Sequence, residues 1–283
     1  MIVSPPTGAH LPLTEPGHTP LRVLTIAGTD SGGGAGIQAD SRTFAMLGVH
    51  GCVAVVAVTV QNSLGVKDFH EIPADIIAGQ ITAVTDDIGI QAAKTGMLAS
   101  SEIIATVAQT WQGLSGDIPL VVDPVCASMH GDPLLHPSAL NSLRTQLFPL
   151  ATLVTPNLDE VRLITGIDVI DAATQKDAAR ALHALGPKWA LVKGGHLRSS
   201  DHSPDLLYDG TEFHEFDTVR IDTGNDHGAG DTLAAAAACA LAHGYPVPEA
   251  VAFAKGWVTE CLRAAYPLGH GHGPVNALFG LGQ

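Results

Sequence analysis

The sequence is poor in basic residues. Only 14 of its 283 residues are Lys or Arg, against 28 Asp and Glu, which gives a formal net charge of -14 at pH 7. Such a chain repels nucleic acid backbones and anionic membranes, because both carry negative phosphates. We therefore expect no nucleic acid partner. Any phosphate that the protein binds must be held locally, by backbone N–H groups, helix ends, a metal ion or a few placed cations.

Cysteines and long apolar runs are also scarce. The four cysteines lie far apart and form no CxxC pair: Cys52, Cys126, Cys239 and Cys261. This spacing is not typical of a zinc site or a disulfide scaffold, and it favours a reducing cytoplasm. No apolar run reaches the ~18 to 20 residues that a spanning helix needs, and the N-terminus lacks the pattern of a signal peptide. We expect a soluble protein with no membrane partner.

Prolines set the first 20 residues apart. Five of the 18 prolines fall within residues 1–20, among few large apolar side chains. Such a segment buries too little surface to offset the cost of ordering, so we predict a flexible tail. From residue 21 to residue 283 no linker marks a second domain, and the 46% hydrophobic content can fill one large core. We predict a single domain there.

Short β-branched apolar runs alternate with longer helical patterns from Leu21 onwards. Strands are predicted at 21–27, 52–60, 90–95, 118–123, 151–154 and 188–193, with a short hairpin over 205–221. Helices are predicted at about 37–48, 73–86, 100–112, 137–147, 157–165, 174–185, 229–243 and 248–264. The alternation predicts an α/β fold with a mostly parallel sheet, helices on both faces, and ligands near the carboxyl ends of the strands.

A Gly-rich turn, TGNDHGAGD, runs straight into an Ala-rich helix. Its glycines allow close approach of a ligand, and the first N–H groups of the helix, at Ala229, Gly230 and Asp231, favour an anion together with the helix dipole. This predicts a cradle for a phosphoryl group in transfer. Asp231 stands at the helix mouth, where a carboxylate can accept the proton of an attacking hydroxyl. The alternative is that Asp231 merely caps or charges the first turn.

Other polar residues follow the remaining predicted strands. GTDSGGGAGIQAD, at residues 28–40, matches neither GxxxxGK[ST] nor GxGxxG, so it is not predicted to bind a nucleotide. Asp123 in VVDPV ends a buried strand, and Glu160 in TPNLDE follows the next one. Lys193 precedes two glycines in LVKGGH and can neutralise phosphate charge. The alternatives are a strand-end turn for Asp123, N-terminal helix charge for Glu160 and an ordinary strand-end position for Lys193.

These motifs occur in the order found in the hydroxymethylpyrimidine phosphate kinases of the ribokinase-like superfamily, which the chain resembles from about residue 21 to its C-terminus. They are GTDSGGGAGIQAD, TVQN, KTGML, DPV, TPNLDE, VKGGH, HGAGDT and GHGHGPV. The resemblance implies a three-layer ribokinase-like fold and a homodimer. It also implies phosphorylation, with ATP and Mg²⁺, of 4-amino-5-hydroxymethyl-2-methylpyrimidine and then of its monophosphate in thiamine biosynthesis.

The resemblance implies roles for individual residues. Asp231 is expected to be the catalytic base, with Gly228, Ala229 and Gly230 around the transferring group. The implied substrate residues are Gln61, Asp40, Gly28, Asp30, Met97 and Val125. The implied nucleotide residues are Asn157, Lys193, Thr223, Lys255 and Val258, and the implied residues around a hydrated Mg²⁺ are Asp123 and Glu160. The Gln61 amide, with its donor and acceptor, suits the ring nitrogens and amine of an aminopyrimidine.

Alternatives remain for several of these residues. Gln61 can instead bond loop backbone, Asp40 can lie exposed in the first turn of a helix, and Asp30 and Met97 can belong to a loop or to the core. His270 and His272 lie in GHGHGPV. They lack a third ligand nearby, so we do not expect a metal there.

Two departures from the family pattern concern the chemistry. Asp231 stands where many pyrimidine kinases have Cys, and Met129 and His130 precede Gly131 where the family commonly has Lys-Ser. An Asp is a competent base, so the first change affects the substrate range more than the reaction. A pyridoxal kinase is the nearest alternative, because those enzymes also carry GAGD, but Gln61 and GHGHGPV argue against it. A non-catalytic pyrimidine sensor is the second, and the retained Asp231 argues against that.

Overall fold

The structure is a computed structural model that describes residues 2–3, 10–126, 135, 137–195 and 201–282. Ten strands form one sheet: β1 (Ile2–Val3), β2 (Arg22–Gly28), β3 (His50–Asn62), β4 (Gly65–Glu71), β5 (Ala92–Thr95), β6 (Leu120–Val122), β7 (Leu153–Val154), β8 (Trp189–Val192), β9 (Asp205–Tyr208) and β10 (Phe213–Phe216). In the part of the chain so described, no helix is long and apolar enough to cross a bilayer.

The main helices are α1 (Gly36–Met46), α2 (Ala74–Ala83), α3 (Ser101–Gln112), α4 (Pro137–Ser142), α5 (Leu158–Thr165), α6 (Ala172–His183), α7 (Ala229–Ala242) and α8 (Val247–Arg263). Helices α2 and α4 each continue into a π-helical turn, over Val84–Ile88 and Leu143–Leu147. Short 3-10 turns cover Phe148–Leu150 and Phe279–Gly282. These elements match the predicted helices closely.

The centre of the sheet is parallel. The strand order is β1-β10-β9-β8-β7-β6-β5-β2-β3-β4, and the strands from β8 to β3 in this order run in one direction. β4 pairs antiparallel with β3, and β9 pairs antiparallel with both β8 and β10, which forms the predicted hairpin. All the central strands therefore end at the same edge of the sheet.

Helices cover both faces of this sheet, which confirms the predicted three-layer α/β fold. Neighbouring residues of β2 illustrate the arrangement, because Val23 packs with α1, α7 and α8 whereas Leu24 packs with α2 to α6. A strand buried on both faces has apolar residues at successive positions, as the sequence indicated. Residues 234–238 of α7 are all alanine and fully buried. Their small side chains let α7 lie close to the central strands, so its first turn reaches their carboxyl ends.

Two features differ from the predicted organisation. β4 was not predicted, since every residue of GVKDFHE is exposed and the segment is extended through pairing with the distant strand β3. The N-terminal 20 residues are partly packed: Ile2–Val3 pairs with β10, and Leu11 is only 3% exposed, within the core around α1 and α8. A buried leucine gains enough from leaving water to hold residues near it against the domain.

Candidate active site

The carboxyl edge of the sheet collects most of the predicted residues. β2 ends at Gly28, and β3 ends beside Gln61. Asp123, Asn157 and Lys193 closely follow β6, β7 and β8. The first turn of α7 meets this edge, with Asp231 in it. The sequence predicted these positions separately, and the sheet topology brings them together.

The two Gly-rich turns touch each other at this edge. Gly228 is the N-cap of α7 with φ of 79°, and a Cβ there would overlap the carbonyl oxygen of Gly34. The Gly36 N–H donates to Asp231 Oδ2 at 3.2 Å. The Ala229 N–H differs from the prediction, because it donates to the Asp226 carbonyl at 3.1 Å and is not free for an anion. The first-turn N–H groups of Gly230 and Asp231 have no intrahelical acceptor.

Asp231 is paired with a buried lysine that sequence analysis did not single out. Lys94 Nζ lies 2.7 Å from Asp231 Oδ1, and the side chains are 0% and 14% exposed. Burial alone would raise the pKa of Asp231, but the Lys94 ammonium and its hydrogen bond lower it below the ordinary value. Asp231 is therefore ionised at neutral pH, with Oδ1 held by Lys94 and Oδ2 towards the loop before α1. An ionised carboxylate at the helix mouth is what a base requires.

Asp40 corrects a prediction. It is fully buried, accepts the Thr25 hydroxyl at 2.6 Å, and lies 2.9 and 3.0 Å from Lys94 Nζ through its two oxygens. Its carboxylate is thus occupied inside the protein and does not line the space open to a substrate, because α1 turns this side chain towards β2 and β5. Burial, opposed by Lys94, raises the pKa of Asp40 to about 7.

Asp30 is also a loop residue and not an open substrate contact. It is 2% exposed and accepts N–H groups from residues 32, 34 and 35 at 2.7 to 2.9 Å. His227 Nε2 lies 2.9 Å from its Oδ2. Burial raises the pKa of Asp30, but these bonds outweigh it and leave the pKa lowered. The pKa of His227 is raised overall. Burial lowers it, but the hydrogen bond and the charge of Asp30 raise it by more.

Gln61 keeps a position suited to its predicted role. Its side chain is partly exposed, with Oε1 3.3 Å from the Thr59 hydroxyl and Nε2 3.4 Å from His227 Nε2. Its backbone N–H is anchored to the neighbouring loop, since it donates to the Ser31 hydroxyl at 2.8 Å. The amide is therefore oriented by neighbours on both sides while the side chain keeps some open surface.

The GHGHGPV segment buttresses the same end of the site. The N–H of His272 donates to the Ser63 carbonyl at 3.0 Å, and the N–H groups of His270 and Gly271 reach the Ser63 hydroxyl at 3.2 Å. Pro274 forms a bridge with His227. This segment thus fixes the end of β3 and the turn before α7 against each other.

Gly28, Met97 and Val125 lie around the centre of the edge. A Cβ on Gly28 would come within 2.7 Å of the Met97 terminal methyl, so the glycine makes room for that side chain. Val125 is partly exposed and has φ of 35°, a strained conformation for a β-branched residue. Such strain clusters at functional sites. The substrate roles of these three residues stay predictions.

Asp123 and Lys193 form the opposite side of the site. Lys193 Nζ lies 3.3 Å from Asp123 Oδ1, which also accepts the Thr155 hydroxyl at 3.2 Å. A Cβ on Gly230 would stand 3.2 Å from Lys193 Nζ and 3.3 Å from Asp123 Oδ2. A carboxylate and an ammonium therefore lie directly against the start of α7. Burial would lower the pKa of Lys193, but Asp123 and Glu160 raise it overall, so the lysine is charged.

Asn157 and Glu160 form a capping box at the start of α5. The Glu160 N–H donates to Asn157 Oδ1 at 2.9 Å, and the Asn157 N–H donates to Glu160 Oε2 at 2.8 Å. The side chains predicted to contact the nucleotide (Asn157) and Mg²⁺ (Glu160) therefore also cap α5. Burial, opposed by Lys193 and reinforced by Asp123, raises the pKa of Glu160 to about 7. A cation placed nearby would restore its charge.

Two predicted nucleotide contacts are corrected. Lys255 is 5% exposed, and its Nζ lies 2.8 Å from Asp205 Oδ2, 2.8 Å from the Ser203 carbonyl and 3.1 Å from its hydroxyl. Its three donors are thus used in tying α8 to the start of β9. Val258, 5% exposed, packs in the core beside it because this face of α8 turns inward. The Thr223 hydroxyl accepts the Asn225 N–H at 3.1 Å, and its nucleotide role stays a prediction.

Sequence analysis missed Lys94 and His227. A signal for Lys94 existed, since it interrupts the apolar run before Thr95 and a lysine buried in a strand requires a carboxylate partner. His227 lies within HGAGDT, but its partner Asp30 is 197 residues away. Met129, His130 and Gly131 lie outside the residues that the structure describes.

Comparisons with known proteins identify the family of the chain. The phosphomethylpyrimidine kinase family model matches residues 30–276. A hydroxymethylpyrimidine/phosphomethylpyrimidine kinase from Mycobacterium bovis is 73% identical over 272 residues, which are 96% of this chain and 99% of the relative. The solved phosphomethylpyrimidine kinase from Clostridium difficile is 39% identical with a TM-score of 0.76, over 85% of this chain and 98% of that one.

Pyridoxal kinases share the same fold. The Staphylococcus aureus pyridoxal kinase, solved in complex with AMP-PCP and pyridoxal, is 33% identical with a TM-score of 0.83, over 92% of this chain and 94% of that one. These likenesses confirm the predicted ribokinase-like fold. The family match spans most of the chain, and the 73% identical relative spans nearly all of it. The chain therefore belongs to the phosphomethylpyrimidine kinase family.

Proposed function

We propose that the protein transfers the γ-phosphoryl group of ATP to the hydroxymethyl group of 4-amino-5-hydroxymethyl-2-methylpyrimidine, and a second one to the monophosphate, in thiamine biosynthesis. The kinase domain runs from residue 21 to residue 283 and works in the cytoplasm, where its four buried cysteines stay reduced. The observation that carries the proposal is the first turn of α7. There an ionised Asp231 adjoins helix N–H groups, and Lys193 stands against Gly230.

The geometry supports a transfer in which the protein positions groups and stabilises charge. The pyrimidine binds beside Gln61, between the β3 end and His227. Its hydroxyl points to Asp231, which accepts the proton as the oxygen attacks phosphorus. The N–H groups of Gly230 and Asp231, the helix dipole and Lys193 stabilise the charge that spreads over the phosphoryl oxygens.

The residues on the Lys193 side suit a hydrated Mg²⁺. Asp123 Oδ2 faces the start of α7, and Glu160 is a second carboxylate close enough for the charge of Asp123 to raise its proton affinity. Mg²⁺ keeps several waters and binds through one or two carboxylates, so Glu160 can act through water while it caps α5. When bound, the ion would neutralise charge on the nucleotide phosphates.

The substrate assignment depends on Gln61 and on the curated relatives. The solved pyridoxal kinases share this fold, so the fold does not separate the two substrates. The 73% identical relatives, in contrast, are pyrimidine kinases. The Gln61 amide offers the paired donor and acceptor that an aminopyrimidine edge can use.

The test is a coupled assay of ADP release with Mg-ATP and each of three acceptors: the hydroxymethylpyrimidine, its monophosphate and pyridoxal. We expect turnover of both pyrimidines and little of pyridoxal. Preferential turnover of pyridoxal would overturn the substrate assignment. No turnover of any acceptor, with pyrimidine binding retained by calorimetry, would instead identify a pyrimidine sensor.

We also propose a homodimer that pairs through the β3–β4 ribbon. This ribbon exposes several apolar side chains near its tip: Val58, Val60, Leu64, Val66 and Phe69, at 48 to 68%. The strand register pairs Val58 with His70 and Thr59 with Phe69, so the ribbon exposes apolar side chains on both of its faces. Exposed apolar side chains of this kind are typical of a protein interface, and a second copy would cover them symmetrically.

A charge in the ribbon should weaken this dimer. We expect Val60→Asp to shift the protein towards monomer in sedimentation velocity, because the carboxylate would lose its water on association. Ile170→Asp is the matched control, since Ile170 is 71% exposed between α5 and α6 and away from the ribbon. Equal sedimentation of parent and Val60→Asp as dimers, or a monomeric parent, would contradict the proposal.

A further inference from the structure

Lys94 is the one fully buried lysine among the described residues, and it contacts two carboxylates at once. Its Nζ lies 2.9 Å from Asp40 Oδ1 on α1 and 2.7 Å from Asp231 Oδ1 on α7. Three elements, α1, β5 and α7, thus meet in one ion cluster beneath the helix mouth. A buried charge cluster of this kind costs desolvation, so stability alone explains it poorly.

The cluster does not balance its own charge. At a pH above the raised pKa of Asp40, about 7, all three groups are ionised, and two carboxylates facing one ammonium leave one negative charge in a site where Asp40 and Lys94 are fully buried. Adding one proton to Asp231 brings the sum to zero. Lys94, 2.7 Å from Asp231 Oδ1, favours the ionised form of Asp231 before the reaction, and the proton that Asp231 then takes removes the excess negative charge.

Resting on the function proposed above, we propose that Lys94 is a positioning residue for the transfer to the alcohol: it fixes and ionises Asp231, while Asp40 fixes Lys94. Lys94 touches neither acceptor, and it acts through Asp231. The hydroxyl proton passes to Asp231 as the oxygen–phosphorus bond forms and the bond from the γ-phosphorus to the bridging oxygen of ADP breaks. No other reactant is needed.

The two acceptors of the proposed function give this role a signature. The hydroxymethyl group is a neutral alcohol and must lose a proton to become a phosphate ester. A phosphate monoester has a second pKa of about 6, so the attacking oxygen of the monophosphate is already charged at pH 8. Removing the charge of Lys94 should therefore slow the first transfer and not the second. A merely structural role would slow both.

The ionisable groups around the cluster come from several elements. Lys94 and His227 act on Asp231, and Lys94 itself is influenced by Asp40 and by Asp123 after β6. Losing the Lys94 charge leaves burial to raise the pKa of Asp231. A rate that depends on ionised Asp231 then declines as the pH falls through that raised value, whereas the parent rate stays level there.

The test uses Lys94→Met combined with Asp40→Asn, in which the new amide at position 40 can still accept the Thr25 hydroxyl and Asp231 is the only charge left of the three. We expect kcat on the alcohol to fall by about 10²-fold or more, kcat on the monophosphate to stay within about tenfold, and KM for either to change little. Lys188→Met is the control, because Lys188 pairs with Asp117 at the surface, and it should keep kcat on both acceptors within about twofold.

Lys94→Gln is a second variant, because the new amide can donate to Asp231 without carrying a charge. If only one of the two variants folds, its kcat values on the two acceptors still test the role of Lys94. An equal fall on both acceptors, or no fall on the alcohol, overturns the proposal. A titration of the Asp231 carboxyl ¹³C shift without substrate measures the pKa of Asp231 independently of turnover. It therefore tests the role of Lys94 separately from the proposed kinase function. If the parent phosphorylates neither pyrimidine, the proposed function fails, and an Asp231 titration that moves to higher pH in the variant still supports Lys94.

Discussion

Asp231→Asn is expected to reduce kcat on the hydroxymethylpyrimidine by about 10²- to 10⁴-fold, the contribution usual for a general base. The amide oxygen can still accept from the Lys94 ammonium, which also keeps Asp40 as its partner, so the turn keeps most of its geometry. The protein should therefore fold and bind both ligands, and only the proton acceptor is lost.

The same variant should lose far less on the monophosphate. Its attacking oxygen is already ionised above a pKa of about 6, so we expect kcat to fall by less than about tenfold. Asp222→Asn is the matched control, because Asp222 is an exposed carboxylate in the same segment before α7. The measurement is ADP release with each acceptor at pH 8, with ligand binding followed by calorimetry. Near-parental turnover of the alcohol would remove Asp231 from the role of base.

Local sequence patterns predicted where the helices and strands of this site begin better than they predicted which segments pair with each other. The start of α7 was predicted because glycines and alanines on either side of Asp231 indicate where a helix begins, and α5 begins at Leu158, directly after its N-cap Asn157 and within one residue of the predicted start. These signals lie within a few residues of each other. The sheet order and β4 depended on pairings between distant segments, which no local pattern contains.

Asp40 and Lys255 were assigned to ligands for the same reason, namely that their ion-pair partners lie far away in the sequence. Asp40 was placed at the substrate, but it faces Lys94, 54 residues further on, and Lys94 reaches Asp231 after another 137 residues. Lys255 was placed at the nucleotide, but Asp205 occupies it, 50 residues before it in the chain. A buried charged side chain pairs with whichever opposite charge the fold brings near it. The family motifs therefore gather at one edge of the sheet, but their sequence alone could not distinguish side chains that line the open site from side chains that pair with each other behind it.

Gly228→Ala is the second variant with a large expected effect. Gly228 has φ of 79°, and its Cα faces the Gly34 carbonyl so closely that a methyl group cannot be added without moving the loop before α1. An alanine here is strained in both conformation and space, and we expect a loss of more than about 1 kcal/mol in the free energy of unfolding.

The effect on catalysis should exceed the effect on stability. The loop that must move leads directly into Gly36, the first residue of α1, whose N–H holds Asp231, and it carries Asp30, which holds His227. A displacement of about 1 Å at reacting groups can cost about 10²-fold in rate, so we expect kcat to fall at least that far on both acceptors. The loss on both separates a damaged cradle from the loss of the base, which affects the alcohol alone.

Gly224→Ala is the matched control for this variant. Gly224 lies in the same turn, before Gly228, and a Cβ there would meet no heavy atom within 4 Å. We expect its unfolding free energy to stay within about 0.5 kcal/mol of the parent and its kcat to stay within about twofold. Chemical denaturation and the ADP-release assay measure both quantities. If Gly228→Ala behaved like Gly224→Ala, the contact between the two Gly-rich turns would not be needed for catalysis, and Asp231 would have to be positioned by Lys94 alone.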